Sequence, residues 1–388
     1  MKIVHVIPFY APAWGYGGPV RVCYDLANAL SDKGHSITVL TTDAYDHTRR
    51  INKDCEDTGP AKVKRFRNLS NYLAKKYNFF LPLGFSNYCK KNIKHADIVH
   101  LHSFYTILNI IGAKYAKKNN IPYIIHFHES IRPTQERGKQ ILKQIFIKLW
   151  GKRILENAKS IIVLSSGELE ELNLFDSRLT AKAVIIANPG PVWVGINPKK
   201  ISIRKKYNYS KNDKILLSLS RLSRLKGIDM LIKTFGEIQK IDNSFKLIIA
   251  GPSEPGVREE LENLALKTDK NNVKFFGMVD QSTKEDFYSI ADFYCLFSRY
   301  ESFGVTILEA LSHNLPVFLN KTVGIARDIA NNNCIKIIDS TDSKATSKMI
   351  IQQFNKKQKM AVDCKDVLEK YSLEKIIDKM IKLYKGVV

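Results

Sequence analysis

The stretch Arg299-Tyr300-Glu301-Ser302-Phe303-Gly304-Val305-Thr306-Ile307-Leu308-Glu309-Ala310-Leu311 decides how the chain is read. Ahead of it, Phe293 to Phe297 is a short apolar run that reads as a strand. Gly304 supplies a turn, and Val305 to Leu311 continues at helix length with Glu309 as its only charge. A helix that is apolar nearly all round is buried, and a carboxylate on it needs a partner. The segment therefore reads as a strand–turn–helix junction flanked by two glutamates. The free N–H groups of the new helix point back at that junction and suit a phosphate. The plainer alternative puts Glu301 on a turn and Glu309 on a solvated face, against the apolar setting of the second glutamate.

The same alternation of strand and helix runs outward from this junction. In the first half, Ile3–Ile7, Ile37–Thr41, Ile98–Leu101, Tyr123–Phe127 and Ile161–Leu164 read as strands, with helices such as Arg21–Leu30 and Ile107–Lys118 between some of them. Asn188-Pro189-Gly190-Pro191 breaks the pattern, which restarts with strands Ile215–Leu219, Phe245–Ala250, Val273–Phe276, Phe293–Phe297 and Val317–Leu319 separated by helices. Such alternation implies parallel sheets covered on both faces. The expectation is two α/β domains, residues 1–188 and 189–371, with residues 372–388 packing back on the first.

Composition narrows the function classes. The chain has 388 residues, 44% hydrophobic and 26% charged, a globular balance with room for two cores. No apolar run approaches the roughly 20 residues of a membrane span, and the N-terminus reads as a strand rather than a signal peptide. The six cysteines lack zinc-type spacing and suggest no disulfide framework, which fits a reducing cytoplasm. Net charge is +23, and residues 51–150 alone hold 18 Lys and Arg against 6 Asp and Glu. That surface would attract nucleic acid, anionic membrane or phosphorylated substrates. No aromatic–basic RNA motif or groove-reading module is present, so nucleic acid is not the expected partner. Two amphipathic helices, Gln140–Ala158 and the stretch after Leu373, carry lysines opposite their apolar faces. Packing on a neighbouring domain is the ordinary reading of both, and membrane-surface contact is the alternative.

Three further loops carry chemistry. After the first strand, Gly15-Tyr16-Gly17-Gly18-Pro19 lets a ligand approach the backbone, but it lacks the third glycine of a dinucleotide loop. After the fourth strand, His126-Phe127-His128-Glu129 holds two histidines at i and i+2, which face the same way on an extended segment. They offer a metal pair, whose third ligand would come only if the fold brought His100 or His102 near. Ser220-Arg221-Leu222-Ser223-Arg224-Leu225-Lys226-Gly227 opens the second domain's first helix. Its arginine and lysine can converge on one anion, a planar fork beside a compact charge.

Taken together, these segments resemble the family 4 (group 1) retaining glycosyltransferases of the GT-B fold. The E-x7-E run from Glu301 to Glu309, the R-L-x-x-x-K-G order at Arg221 and Lys226, the Gly17-Gly18 loop and Ala250-Gly251-Pro252 all carry the likeness. Pro122-Tyr123 leading to a histidine carries it too, with glutamate at 129 where the family has glycine, so either His126 or His128 holds the motif position. The resemblance implies two Rossmann-like domains facing across a cleft. It also implies retaining transfer of a hexose-type sugar from a nucleoside diphosphate sugar. His128, Glu301, Arg221 and Lys226 would be the catalytic residues. Gly17, Gly18, Gly251, Ser302, Phe303, Gly304, Val305 and Glu309 would bind the donor, with Glu309 on the ribose and Glu301 on the sugar. With no D-x-D sequence, no metal or other cofactor is expected. The expected acceptor is a glycan, lipid-linked, in the synthesis of bacterial surface polysaccharide such as lipopolysaccharide. The expected location is cytoplasmic, peripheral on the inner face of an anionic membrane. The alternatives are a sugar-nucleotide epimerase of the same architecture, or a basic protein binding nucleic acid or membrane.

Overall fold

The computed structural model describes residues 1–46, 48–52, 59–77, 79–128, 137–268, 272–357 and 364–388. Glu129, named above, and Cys55, one of the six cysteines, lie outside them. The chain divides into two compact units, Met1–Pro189 with Leu373–Val388, and Gly190–Ser372.

The first unit is built on seven parallel strands: β1 (Lys2–Val6), β2 (Ser36–Thr42), β3 (Lys62–Phe66), β4 (Ile98–His102), β5 (Tyr123–His126), β6 (Ser160–Val163) and β7 (Ala183–Ile185). Their order is β3-β2-β1-β4-β5-β6-β7. Direction of travel across the sheet reverses between β1 and β4, and the carboxyl ends at such a reversal are where open α/β sheets bind ligands. The interior strands are buried along almost their whole length, as a doubly covered parallel sheet requires. Helix Gly18–Asp32 starts on Gly17 (φ +87°), with Pro19 in its first turn, where a missing N–H costs nothing. Helix Ile107–Lys118 is capped by Thr106, whose hydroxyl accepts from Asn109 N at 3.2 Å. The final helix, Leu373–Val387, buries Ile376, Ile377, Met380 and Tyr384 and packs against helix Gly18–Asp32.

The second unit has six parallel strands: β8 (Lys214–Leu219), β9 (Phe245–Ala250), β10 (Val273–Phe275), β11 (Phe293–Leu296), β12 (Val317–Asn320) and β13 (Ile335–Ile338). Their order is β10-β9-β8-β11-β12-β13, so the reversal lies between β8 and β11. Helices Ile228–Gln239 and Val257–Thr268 close its core over Leu247, Ile249 and Phe235.

The two-sheet α/β architecture expected from the sequence is present. Strands β3, β7 and β13 were not expected. The two outer strands of the first sheet and the last of the second are edge strands, and β3 is mostly basic. A second departure concerns the cysteines. Cys334 and Cys364 are disulfide-bonded, with Cα atoms 5.7 Å apart across a sequence separation of 30. The fold brings together the start of β13 and the start of helix Lys365–Glu369, a proximity that spacing along the chain does not encode. Among the described residues, no helix is long and apolar enough to cross a membrane.

Candidate functional site

In the second unit, the predicted residues gather at the carboxyl ends of β8, β9 and β11. Arg221 and Lys226 follow β8, Gly251 follows β9, and Glu301 to Glu309 follow β11. The closeness of these loops is enforced by glycines. A Cβ on Gly251 (φ +143°) would stand 1.9 Å from the carbonyl of Ser220, and one on Gly227 (φ +63°) 2.1 Å from the carbonyl of Phe297. Both sites exclude any side chain. Gly304 (φ +85°) then caps helix Val305–Ser312 in the left-handed conformation. Its carbonyl accepts from Ile307 N at 2.9 Å, and the N–H groups ahead of Ile307 in that helix face back into the junction.

Two ion pairs define the electrostatics here. Lys226 pairs with Glu301, each side chain less than a fifth exposed. Glu309 accepts from Lys284 Nζ at 2.6 Å and from the hydroxyl of Tyr288 at 2.8 Å. Glu309 is thus half-buried and held by two donors, which answers the partner requirement read from its helix. Tyr294 donates its hydroxyl to the Leu219 carbonyl at 3.0 Å and lies 2.7 Å from Thr306 Oγ1, tying β8 to the helix start. Burial, then the Glu309 carboxylate, raises the Tyr288 hydroxyl well above its ordinary pKa, so it stays a donor. Arg221 is mostly exposed, with its nearest carboxylate, Glu254, at 3.8 Å. Phe303 is buried against Tyr371. Lys284 and Tyr288 were not read as site residues. They sit four apart on helix Gln281–Ile290, and only that spacing on one face signals them.

In the first unit, the structure brings together the histidines that the sequence left separate. His5 on β1, His100 and His102 on β4, His126 on β5 and His128 just beyond it are all buried. Register explains it: His5 pairs with His100 and His102 with His126, so their rings share one face of the sheet. Their rings stack at centroid distances of 4.0 Å (His100–His102), 5.0 Å (His102–His128) and 3.7 Å (His126–His128). His102 is the hub, with Nε2 2.8 Å from His5 Nδ1 and Nδ1 2.7 Å from His128 Nε2. His100 Nδ1 meets the Tyr384 hydroxyl at 2.7 Å. Burial drives the pKa of His128 down to about 3, so the ring is neutral at any working pH. His128 itself takes a left-handed backbone (φ +53°), which turns it out of the strand's regular alternation. The Gly17-Gly18 backbone at the carboxyl end of β1 has open space around both Cα atoms. The predicted residues therefore form two groups, Gly17, Gly18 and His128 in the first unit and the remainder in the second.

Comparison with known proteins agrees with this architecture. The family described as Glycosyl transferases group 1 matches residues 199–370, and that described as Glycosyltransferase Family 4 matches residues 16–189. A glycosyltransferase of Methanocaldococcus jannaschii is 26% identical over 99% of this chain and 98% of its own length. The alpha-monoglucosyldiacylglycerol synthase of Streptococcus pneumoniae is 25% identical, covering 75% of this chain and 65% of its own. The structure of Anabaena HepE in complex with UDP-glucose superimposes with a TM-score of 0.76 over 100% of both chains at 18% identity, a likeness of fold.

Proposed function

Since this chain belongs to the group 1 glycosyltransferases, we propose that it moves a hexose-type sugar from a nucleoside diphosphate sugar to a hydroxyl of a lipid-linked glycan, with retention of anomeric configuration. The observation that carries this reading is the Lys226–Glu301 pair at the β8/β11 reversal, beside the free N–H groups of helix Val305–Ser312. Lys226 is a cation held in place by a carboxylate that a diphosphate would out-compete in charge. Arg221, exposed on the same loop, adds a planar fork for phosphate oxygens. These groups and the helix N-terminus stabilise the negative charge that develops as the glycosidic bond to phosphate breaks, so no metal is needed there.

Glu309, fixed by Lys284 and Tyr288, accepts hydrogen bonds from the ribose hydroxyls, and Glu301, freed from Lys226, accepts from the sugar. Attack then proceeds on the face the diphosphate leaves, with a departing phosphate oxygen taking the acceptor's proton. Neutral His128 hydrogen-bonds the substrate without adding charge. A glycolipid relative and a UDP-glucose-bound structural neighbour support donor and acceptor classes of this kind.

The stretch from helix Arg137–Phe146 through Gly151 supports a membrane-surface acceptor. Ile141, Leu142, Ile145, Leu149 and Trp150 are between 43% and 57% exposed there. Lysines 143 and 148 lie in the same stretch and would attract anionic headgroups.

The test is a transfer assay with UDP- and GDP-sugars and a lipid-linked glycan, reading the new linkage by proton NMR. The same anomer in donor and product, formed only when acceptor is present, supports the proposal. An inverted anomer overturns retention. Isomerised donor without acceptor would make the protein an epimerase.

A further inference from the structure

The histidine face of the first unit is chemically out of place. A parallel sheet covered on both sides normally buries aliphatic side chains at its strand ends. Here β1, β4 and β5 bury imidazoles instead, and several of their nitrogens are unsatisfied. Among the described residues, His5 Nε2, His100 Nε2 and both ring nitrogens of His126 have no hydrogen-bond partner. Each such group costs about 1–3 kcal/mol, so packing alone is a poor account of the cluster. Helix Gly18–Asp32 adds a thiol to the same place: Cys23, fully buried, has its Sγ 3.7 Å from His102 Nε2.

We propose that His5 Nδ1, His102 Nε2 and Cys23 Sγ form a binding site for a thiophilic transition-metal ion, Zn2+ or Cu+, inside the first unit. The three donor atoms come from β1, β4 and helix Gly18–Asp32 and lie within 4.8 Å of one another. Two nitrogens on one such ion stand roughly 3.3 Å apart, and a sulfur and a nitrogen about 3.6 Å. The sulfur is therefore already at a metal-bound separation from His102 Nε2, and within 4.8 Å of the His5 donor. The two rings, 2.8 Å apart, need open only by roughly half an ångström. Burial keeps both imidazoles neutral and their lone pairs available. His100, His102 and His126 form a second close trio, but it offers no anion. A dry site must offset the ion's charge, and among these residues only the thiolate of Cys23 can, cancelling the whole charge of Cu+ and half that of Zn2+.

Binding balances simply. Cys23 loses its thiol proton to solvent as the sulfur–metal bond forms. The proton shared between His5 and His102 moves to another ring nitrogen of the histidine chain, so one proton is released per ion. With Nε2 on the metal, His102 keeps its proton on Nδ1 and donates to His128 Nε2. His128 is then protonated at Nδ1. The ion would thus set the tautomer that a candidate site residue presents, through one intervening ring.

The experiment uses the full chain without a polyhistidine tag, stripped with chelator and kept reduced. It is titrated with Co2+ as a spectroscopic stand-in for Zn2+, and separately with Cu+. The expected result is a thiolate-to-cobalt absorption in the near ultraviolet at one ion per chain. A rise in melting temperature follows by mass action, and Cys23→Ser abolishes both. His5→Asn gives the same comparison if Cys23→Ser does not fold. X-ray absorption of the loaded wild-type chain, which needs no variant, should show a sulfur neighbour at about 2.3 Å. The proposal is overturned if the folded wild type takes up neither ion or shows no sulfur neighbour. It is equally overturned if uptake survives Cys23→Ser but is lost in His126→Asn, which would place the ion on the three histidines.

Discussion

The two sheets end in opposite electrostatics. At the β8/β11 reversal, charges are present and paired: Lys226 with Glu301, Glu309 with Lys284. At the β1/β4 reversal, five imidazoles are buried with no carboxylate partner among the described residues, and each has its pKa driven down by burial. The same fold position thus offers two kinds of surface. A paired cation can be handed from its carboxylate to an incoming phosphate at small desolvation cost. A neutral imidazole row can hydrogen-bond a ligand or hold a metal, and it repels nothing. The contrast is between an end that carries paired, part-exposed charges and an end whose buried rings are neutral.

The largest effect should come from breaking the charged end. Lys226→Ala is expected to lower kcat/KM by about 10²–10³-fold, the scale of losing one preorganised charge on a leaving group. Its folding stability should fall far less, since Glu301 retains some solvent access. Steady-state kinetics beside thermal melts separates the two. Glu309→Gln keeps the shape and removes the charge, and should raise the donor KM by about tenfold while leaving kcat nearly intact.

The neutral end predicts a pH response. The buried histidines have folded pKa values below 6.5, His5 and His128 near 3. The unfolded chain binds protons first as pH falls, so stability is full above about pH 6.5 and is lost as pH drops toward 3. Denaturant melts at pH 7.5 and 5 should show a clear loss at the lower pH. Replacing His5 by Asn should flatten it, and an unchanged slope would show that the cluster does not control acid stability.

Glu168 sharpens the comparison from the other side. Buried in the first unit, it accepts from Leu164 N at 2.6 Å, and burial pushes its carboxyl up to about 8. Its folded pKa is raised, so its contribution is present below about 4.5 and lost as pH rises through 8. Glu168→Gln should therefore melt higher than wild type at pH 9, by roughly 1–3 kcal/mol, with the gap shrinking toward pH 5.

Much of this was legible in the sequence because the interior strands are continuous apolar runs and the loops after β8 and β11 carry charged residues at short spacings. Phe293–Leu296 followed by Gly304 and Glu309 could be placed from that pattern alone. Strand β3, Lys62–Phe66, could not, because an edge strand exposes its basic side chains and lacks the buried pattern. The histidine cluster was only half visible. His126 and His128 share a motif, but their meeting with His5 and His102 depends on strand order and register, which no local pattern encodes. The Cys334–Cys364 pair and the Tyr288 contact to Glu309 were hidden for the same reason.

The most direct test of the central claim is calorimetric binding of UDP and GDP to wild type, Lys226→Ala and Glu309→Gln, with circular dichroism to establish that each is folded. The account predicts that one nucleotide binds wild type and that each variant weakens it by at least about tenfold, a loss of roughly 1.4 kcal/mol. Equal affinity in all three folded proteins, or no binding to wild type, would contradict it.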